Sequence, residues 1–270
     1  MMALGFEIPA VALRKSGAAP VVPFSPLQLS PSAMFDAADT TKLFQDSAGT
    51  TPVTADNQPI GLWQDNSQNG VDLSQPVSAA RPSYRTDGNY QWVETDGVDD
   101  GLETASLLRV GNPLTMVLGY EMLSTTGTSR VNFAEIGRNR YNAMSIGSRP
   151  NIDRLRYYSR LSDEGVSSSH PASPQPWGGH QKRIATLQAV PGQVSIRMDG
   201  VEVLNTTQNL GTEFIEPHPL KIGMAGLSGS IPGAFRLFGI QVWDATKTQP
   251  TAVQIPLLEQ WMADRIGVTL

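Results

Sequence analysis

"VSIRMDGVEV", Val194–Val203, is the stretch whose reading decides the fold. Val194, Ile196 and Met198 alternate with Ser195, Arg197 and Asp199, so a period of two sends apolar side chains to one face and polar ones to the other. That is a half-buried antiparallel strand. Asp199-Gly200 then supplies a hairpin turn, because both positions accept the positive φ that a two-residue connection needs, and "VEV" starts the return strand.

Outward from this hairpin the same grammar recurs. "TMVLGYEML" (Thr115–Leu123), "NAMSIG" (Asn142–Gly147), "RIATLQAV" (Arg183–Val190) and "AFRLFGIQVWD" (Ala234–Asp244) read as further short strands. Glycine (25) and proline (20) together make about a sixth of the 270 residues, against an average near 12%, which suits many turns between short strands. Only the C-terminus reads as a helix. In "TAVQIPLLEQWMADRIGV", Val253, Leu257 and Trp261 stand one turn apart, as do Leu258 and Met262, with Pro256 in the first turn and Gly267 as terminator. The expectation is one all-β domain, an antiparallel β-sandwich of jelly-roll type, with a C-terminal helix packing its apolar stripe on the sandwich.

Residues 1–33 carry Pro9, Pro20, Pro23, Pro26 and Pro31, each removing a backbone donor, and read as an extended arm ahead of a domain at 34–270. Val21, Val22, Phe24, Leu27 and Leu29 are too apolar for a freely solvated tail, so the arm is expected to dock on its own domain or on a partner. Glu7 and Pro9 interrupt the first apolar run and the basic residues follow it, which is not a signal-peptide pattern. No apolar run approaches the roughly 18 residues that span a bilayer, so no membrane insertion is expected. A net charge of −5 and no Lys/Arg block interleaved with aromatics argue against nucleic acid. Cysteine is absent, which excludes disulfides, thiolate zinc sites and a cysteine nucleophile.

The segment "MFDAADTTKLFQDSAGTTPVTADNQPIGLWQDNSQNGVDLSQPVSAARPSYRTDG", followed by "ETDGVDDGL", resembles the opening of concanavalin A-like (LamG-type) jelly-roll domains of phage, prophage and gene-transfer-agent virion proteins. "VSIRMDGVEV", "LKIGMAGLSGSIPGAFRLFGIQVWD" and "LLEQWMADRIGV" are similar to the strands and terminal helix that close this fold. The resemblance covers about residues 34–270 and implies a virion component such as a fibre, spike or decoration. It would be assembled in the bacterial cytoplasm, joined to other virion proteins through the arm and oligomeric in the particle. The fold hosts binding modules and enzymes alike.

Several chemistries can be weighed on the residues. "GLWQDNSQNGVDLSQ" (Gly61–Gln75) spaces Asp65, Ser67 and Asn69 like a calcium loop, but Pro76 stands where the closing Glu belongs, and Asx turns with Asn69-Gly70 account for the same residues as a turn. In one glycosidase branch of the fold a Glu-x-Asp-x-Glu strand faces the sugar. "WVETDGVDD" supplies Glu94 and Asp96, yet the third alternate position is Val98, and Asp96, Asp99 and Asp100 read equally well as turn caps. "GLSGS" ends in Ser230 where a nucleophile elbow needs glycine, and His170, His180 and His218 lack metal-ligand spacing. No catalytic residue, metal or cofactor is therefore assigned.

What remains is binding. The polar segment Leu161–Lys182 holds Trp177 beside Gly178, Gly179 and His180, an aromatic ring that can stack on a sugar or pin the loop to the sandwich or a neighbouring subunit. Arg138 and Tyr141 in "RNRYN" join this candidate carbohydrate site only if the fold brings them near; a solvated hairpin end is the alternative. The expected function is a non-enzymatic virion protein with host-surface polysaccharide as candidate ligand. The alternatives are a particle-borne glycoside hydrolase and a ligand-free decoration.

Overall fold

The computed structural model describes residues 23–123, 131–138, 141–149, 154–160, 168–169, 180–207, 217–224 and 233–270. Within them the strands are β1 (Ala33–Asp36), β2 (Leu43–Phe44), β3 (Leu62–Trp63), β4 (Leu73–Ser74), β5 (Ser83–Thr86), β6 (Gln91–Asp96), β7 (Leu102–Arg109), β8 (Leu114–Met122) and β9 (Val131–Arg138). They continue as β10 (Tyr141–Arg149), β11 (Arg154–Arg160), β12 (Ser168–Ser169), β13 (Lys182–Val190), β14 (Gln193–Met198), β15 (Val201–Thr206), β16 (Pro217–Ile222) and β17 (Ala234–Trp243), and the helix is α1 (Ile255–Ile266).

Two antiparallel sheets face each other. One runs β15-β14-β13-β8-β17-β6-β5, with β1 also paired to β17; the other runs β12-β11-β10-β9-β16-β7-β4-β3-β2. Between them lies the core, where Phe133 from one sheet meets Tyr120 and Phe235 from the other at centroid distances of 4.5 and 5.2 Å. The deciding hairpin is as expected: Val194, Ile196 and Met198 are buried, Met198 pairs with Val201, and Asp199 and Gly200 take φ of 50° and 80°. This fold class, an all-β sandwich with one C-terminal helix, is the one the strand grammar implies.

The helix lies on the outer face of the first sheet and turns Leu257, with Val253 just ahead of it, outward, while Trp261 packs at the edge of the cluster beneath it. Leu258, Met262 and Ile266 are buried against Val117, Ile184 and Phe238, whereas Val253 is 79% and Leu257 46% exposed. Two features turn the helix this way. Gly119 leaves room for it, since a Cβ there would lie 2.7 Å from both Ile266 and Met262. Glu259, itself buried, accepts from Arg197 Nε of β14 and Thr186 Oγ1 of β13, both at 2.8 Å. Gly267, with φ of 73°, closes the last turn.

The described residues ahead of 34 lie against the sandwich. From Pro23 the chain already belongs to the body: Pro26–Leu29 forms a 3-10 turn, Phe24 and Leu29 pack on the cluster beneath α1, and Trp243 Nε1 donates to Leu29 O at 2.9 Å. Ser32 Oγ donates to Asp244 at 2.9 Å, and Ala33 opens β1 opposite Val242. Apolar side chains at 24 and 29 had no reason to stay in water once an apolar face stood beside them.

Candidate functional site

The carboxylates weighed in "WVETDGVDD" lie on β6 and the turn after it. The pairing registers place Lys182, Glu121, Arg236, Glu94 and Ser83 in one row across five strands. Glu94 is locked into that row. Its Oε1 accepts from Arg85 Nη1 at 3.0 Å, and its Oε2 from Trp92 Nε1 at 3.0 Å and Arg236 Nε at 2.9 Å. Arg236 also donates to Glu121 at 3.0 Å and lies 4.7 Å over the Trp92 ring. Burial pushes the Glu94 carboxyl up, but the Trp92 and Arg236 bonds and the two guanidinium charges outweigh it, so the group sits below its ordinary range and stays an anion.

Beyond Asp96 the chain turns back on itself through its own carboxylates. Asp96 Oδ1 accepts from Val98 N at 2.7 Å, and Asp100 Oδ2 accepts from Asp96 N at 3.0 Å. This is the turn-capping role expected of these residues. The turn also supplies what the strand lacks, a second carboxylate. One oxygen each from Asp96, Asp99 and Asp100 lies within 4.8 Å of the others, the one such acidic grouping among the described residues. Burial, then the charges of Asp96 and Asp99, raise Asp100 to about 6 against the bond from Asp96 N, which lowers it. Arg85, Glu94, Asp96 and Asp100, with Asn57 and Ser83, line a cleft of 190 Å³.

Of the carbohydrate candidates, Trp177 lies outside the described residues, as do His170 and "GLSGS". His180 is exposed, with φ of 61°, two residues before the Lys182–Glu121 pair. Arg138 and Tyr141 pair with each other where β9 passes into β10. They do not join His180. Val131, at the other end of β9, abuts Gly233 beside the Phe235–Met122 pair, so the hairpin end is about 20 Å further along the strand at ~3.3 Å per residue. His218 is buried on β16.

The calcium-like loop is a bracket holding β1. Asp65 Oδ1 accepts from Met34 N at 3.0 Å and Ser67 N at 2.8 Å, and its Oδ2 from Ser67 Oγ at 2.6 Å and Val71 N at 3.3 Å. Asn66 Oδ1 takes Asp36 N, and Asn69 Nδ2 donates to Pro31 O at 2.8 Å. The oxygens that would face an ion are turned to the backbone instead.

No family model matches the chain, and no curated protein matches it by sequence. Its fold is similar to solved structures. Domain 4 of AbnA, a GH43 extracellular arabinanase from Geobacillus stearothermophilus in complex with arabinotriose, aligns with a TM-score of 0.56 at 11% identity over 79% of this chain and 92% of that one. A Trypanosoma rangeli sialidase in complex with 2,3-difluoro-KDN gives 0.54 at 13%, covering 94% of this chain but 36% of the sialidase. The botulinum neurotoxin serotype D binding domain gives 0.52 at 7%, over 74% and 49%. At these identities the likeness is one of β-sandwich fold.

Proposed function

We propose that this chain is a non-enzymatic glycan-recognising β-sandwich of a phage-like particle, held to other virion proteins through its N-terminal residues and oligomeric there. The observation that carries the non-catalytic part is the state of Glu94. A retaining glycosidase needs one carboxylate free to attack and a second, protonated, about 5 Å away. Glu94 is an anion held by three charge-assisted or indole hydrogen bonds, from Arg85, Trp92 and Arg236, with both lone pairs of Oε2 engaged, so it is pinned and electrostatically quenched as a nucleophile. The particle part rests on the resemblance of residues 34–270 to virion jelly rolls. The arabinotriose complex of the arabinanase domain and the 2,3-difluoro-KDN complex of the sialidase are compatible with recognition of a glycan.

A second reading, a particle-borne hydrolase of envelope polysaccharide, draws on Asp100. A carboxyl raised to about 6 beside Asp96 is the pairing from which a proton donor can be made. One experiment separates the two. The protein is incubated with host capsule or lipopolysaccharide, and both retention on the polysaccharide and release of reducing ends are measured. Retention without release is expected, and Glu94→Gln should change neither. Release that Glu94→Gln or Asp100→Asn abolishes in a folded variant would establish the hydrolase.

A further inference from the structure

Two clefts open side by side at the far end of β17 from the carboxylates. One, of 370 Å³, lies between the Pro26–Leu29 turn and the Asp65–Gly70 loop; the other, of 360 Å³, lies between that turn and residues 246–254. Both fall within the usual size of ligand pockets, roughly 300–1,000 Å³. They share Ser30 and Lys247, so a chain-like ligand can run from one into the other past the Lys247 ammonium.

Amide and hydroxyl side chains recur in both walls, beside Leu27 and Pro31 in the first and Leu29 and Pro250 in the second. Asn66, Gln68 and Asn69 line the first, and Gln28, Thr248 and Gln249 the second. Asn66 spends both ends of its amide on Asp36 N and Asp39, and Asn69 its Nδ2 on Pro31 O and Ser32 O, which leaves Asn69 Oδ1 and the Gln68 and Gln28 amides to meet a ligand's hydroxyls. Gln249 Nε2 is held by Asp244 O and Lys247 O, which fixes that amide in the wall of the second cleft. The walls are rigid before any ligand arrives. Asp65 braces the first loop, and Asp244 braces the second by accepting from Ser32 Oγ, Arg109 N, Thr246 N and Thr246 Oγ1.

Charge singles out Lys247. It is the one charged residue in either lining, in a chain of net charge −5, and its ammonium has no ion pair among the described residues. Asp65 and Asp244 are both buried, their oxygens turned to the donors just named. The amino end of α1, which has no acidic residue in its first turn, adds a positive partial charge beside Gln254 in the second cleft. A single ammonium among amides matches one carboxylate of an acidic polyol.

We propose that the paired clefts bind one carboxylate-bearing oligosaccharide, with a ring in each cleft, hydroxyls on the amides and a carboxylate on Lys247. The polyol part rests on the glycan-binding reading; the acidic group rests on the cleft alone. The carboxylate-lined cleft at the other end of β17 would repel such a ligand.

Isothermal titration of the full chain with trigalacturonate and with neutral galactotriose tests this. Trigalacturonate should bind about tenfold more tightly than the neutral trimer, the scale of one favourable charge contact. Lys247→Gln should remove that difference by weakening the acidic trimer alone, with an unchanged melting temperature because the side chain has no ion pair to lose among the described residues. Sodium acetate in large excess should not displace the trimer. Equal affinities for the two trimers, or unaltered trigalacturonate binding in Lys247→Gln, would overturn the acidic assignment while leaving glycan binding intact. Displacement by acetate would reduce the cleft to a simple anion site. Binding of neither trimer, with retention on envelope polysaccharide preserved, would sink this proposal alone; loss of both would sink the glycan reading as well.

Discussion

Asp100 keeps its proton to higher pH in the folded chain than in the unfolded one, because burial and the charges of Asp96 and Asp99 disfavour its anion. Between the ordinary carboxylate range and about pH 6 the folded state therefore binds more protons, so this group removes stability as pH rises through that window. Asp100→Asn keeps an acceptor for Asp96 N and deletes the charge. The variant should match the parent near pH 4 and exceed it at pH 7 by up to about 3 kcal/mol, measured by urea unfolding at both values. Equal differences at the two pH values would place the effect elsewhere. Carboxylates with lowered pKa, Glu94 among them, contribute in the opposite sense and cancel from this comparison. The capping role of Asp96 was legible in the sequence because an Asx turn reaches only two or three residues along the chain. Glu94 was not legible. Its partners Arg85 and Arg236 stand 9 and 142 residues away, and only the register of β5, β6 and β17 brings them to one carboxylate.

Helix α1 presents the same kind of limit one scale up. Val253-Leu257-Trp261 and Leu258-Met262 are both apolar stripes at helical spacing, and periodicity ranks them equally. What chooses between them is a charged residue: Glu259 follows Leu258 to the inside because Arg197 and Thr186 wait there. Leu258→Ala should cost about 2–5 kcal/mol, and Leu257→Ala no more than about 0.5, in chemical denaturation. Comparable losses would mean that the outward stripe is covered as well. Among the strands, β14 was legible down to its faces because one face is buried and the other is not. Strands β8 and β17 were legible only as strands. The core covers one face and α1 or flanking chain the other, so nearly every position is buried and the alternation that marks a face is gone. Two-residue strands such as β3 and β4 leave no period to read, and their loop showed only as a turn.

For the molecule as a whole, residues 24–33 decide where the domain begins. Leu29 O receives the Trp243 indole, Ser32 braces Asp244 and Phe24 packs beneath α1. A chain cut after residue 33 should melt at least about 5 °C below one cut after residue 22, since two buried polar contacts and an apolar contact are lost together. Identical melting curves would keep the boundary at 33. The same connections bear on how the protein is made. On its β6 and β1 flank, β17 is shared: residues 234–237 pair with β6 and residues 239–242 with β1, while β8 lines its other side. Three strands from the first half of the chain thus have one common neighbour near its end. During translation at about 5–20 residues per second, β8 is complete on the order of ten seconds before β17 is. Throughout that interval β1, β6 and β8 have open edges where β17 will lie, which makes the nascent chain, and not the finished fold, the form most in need of a chaperone.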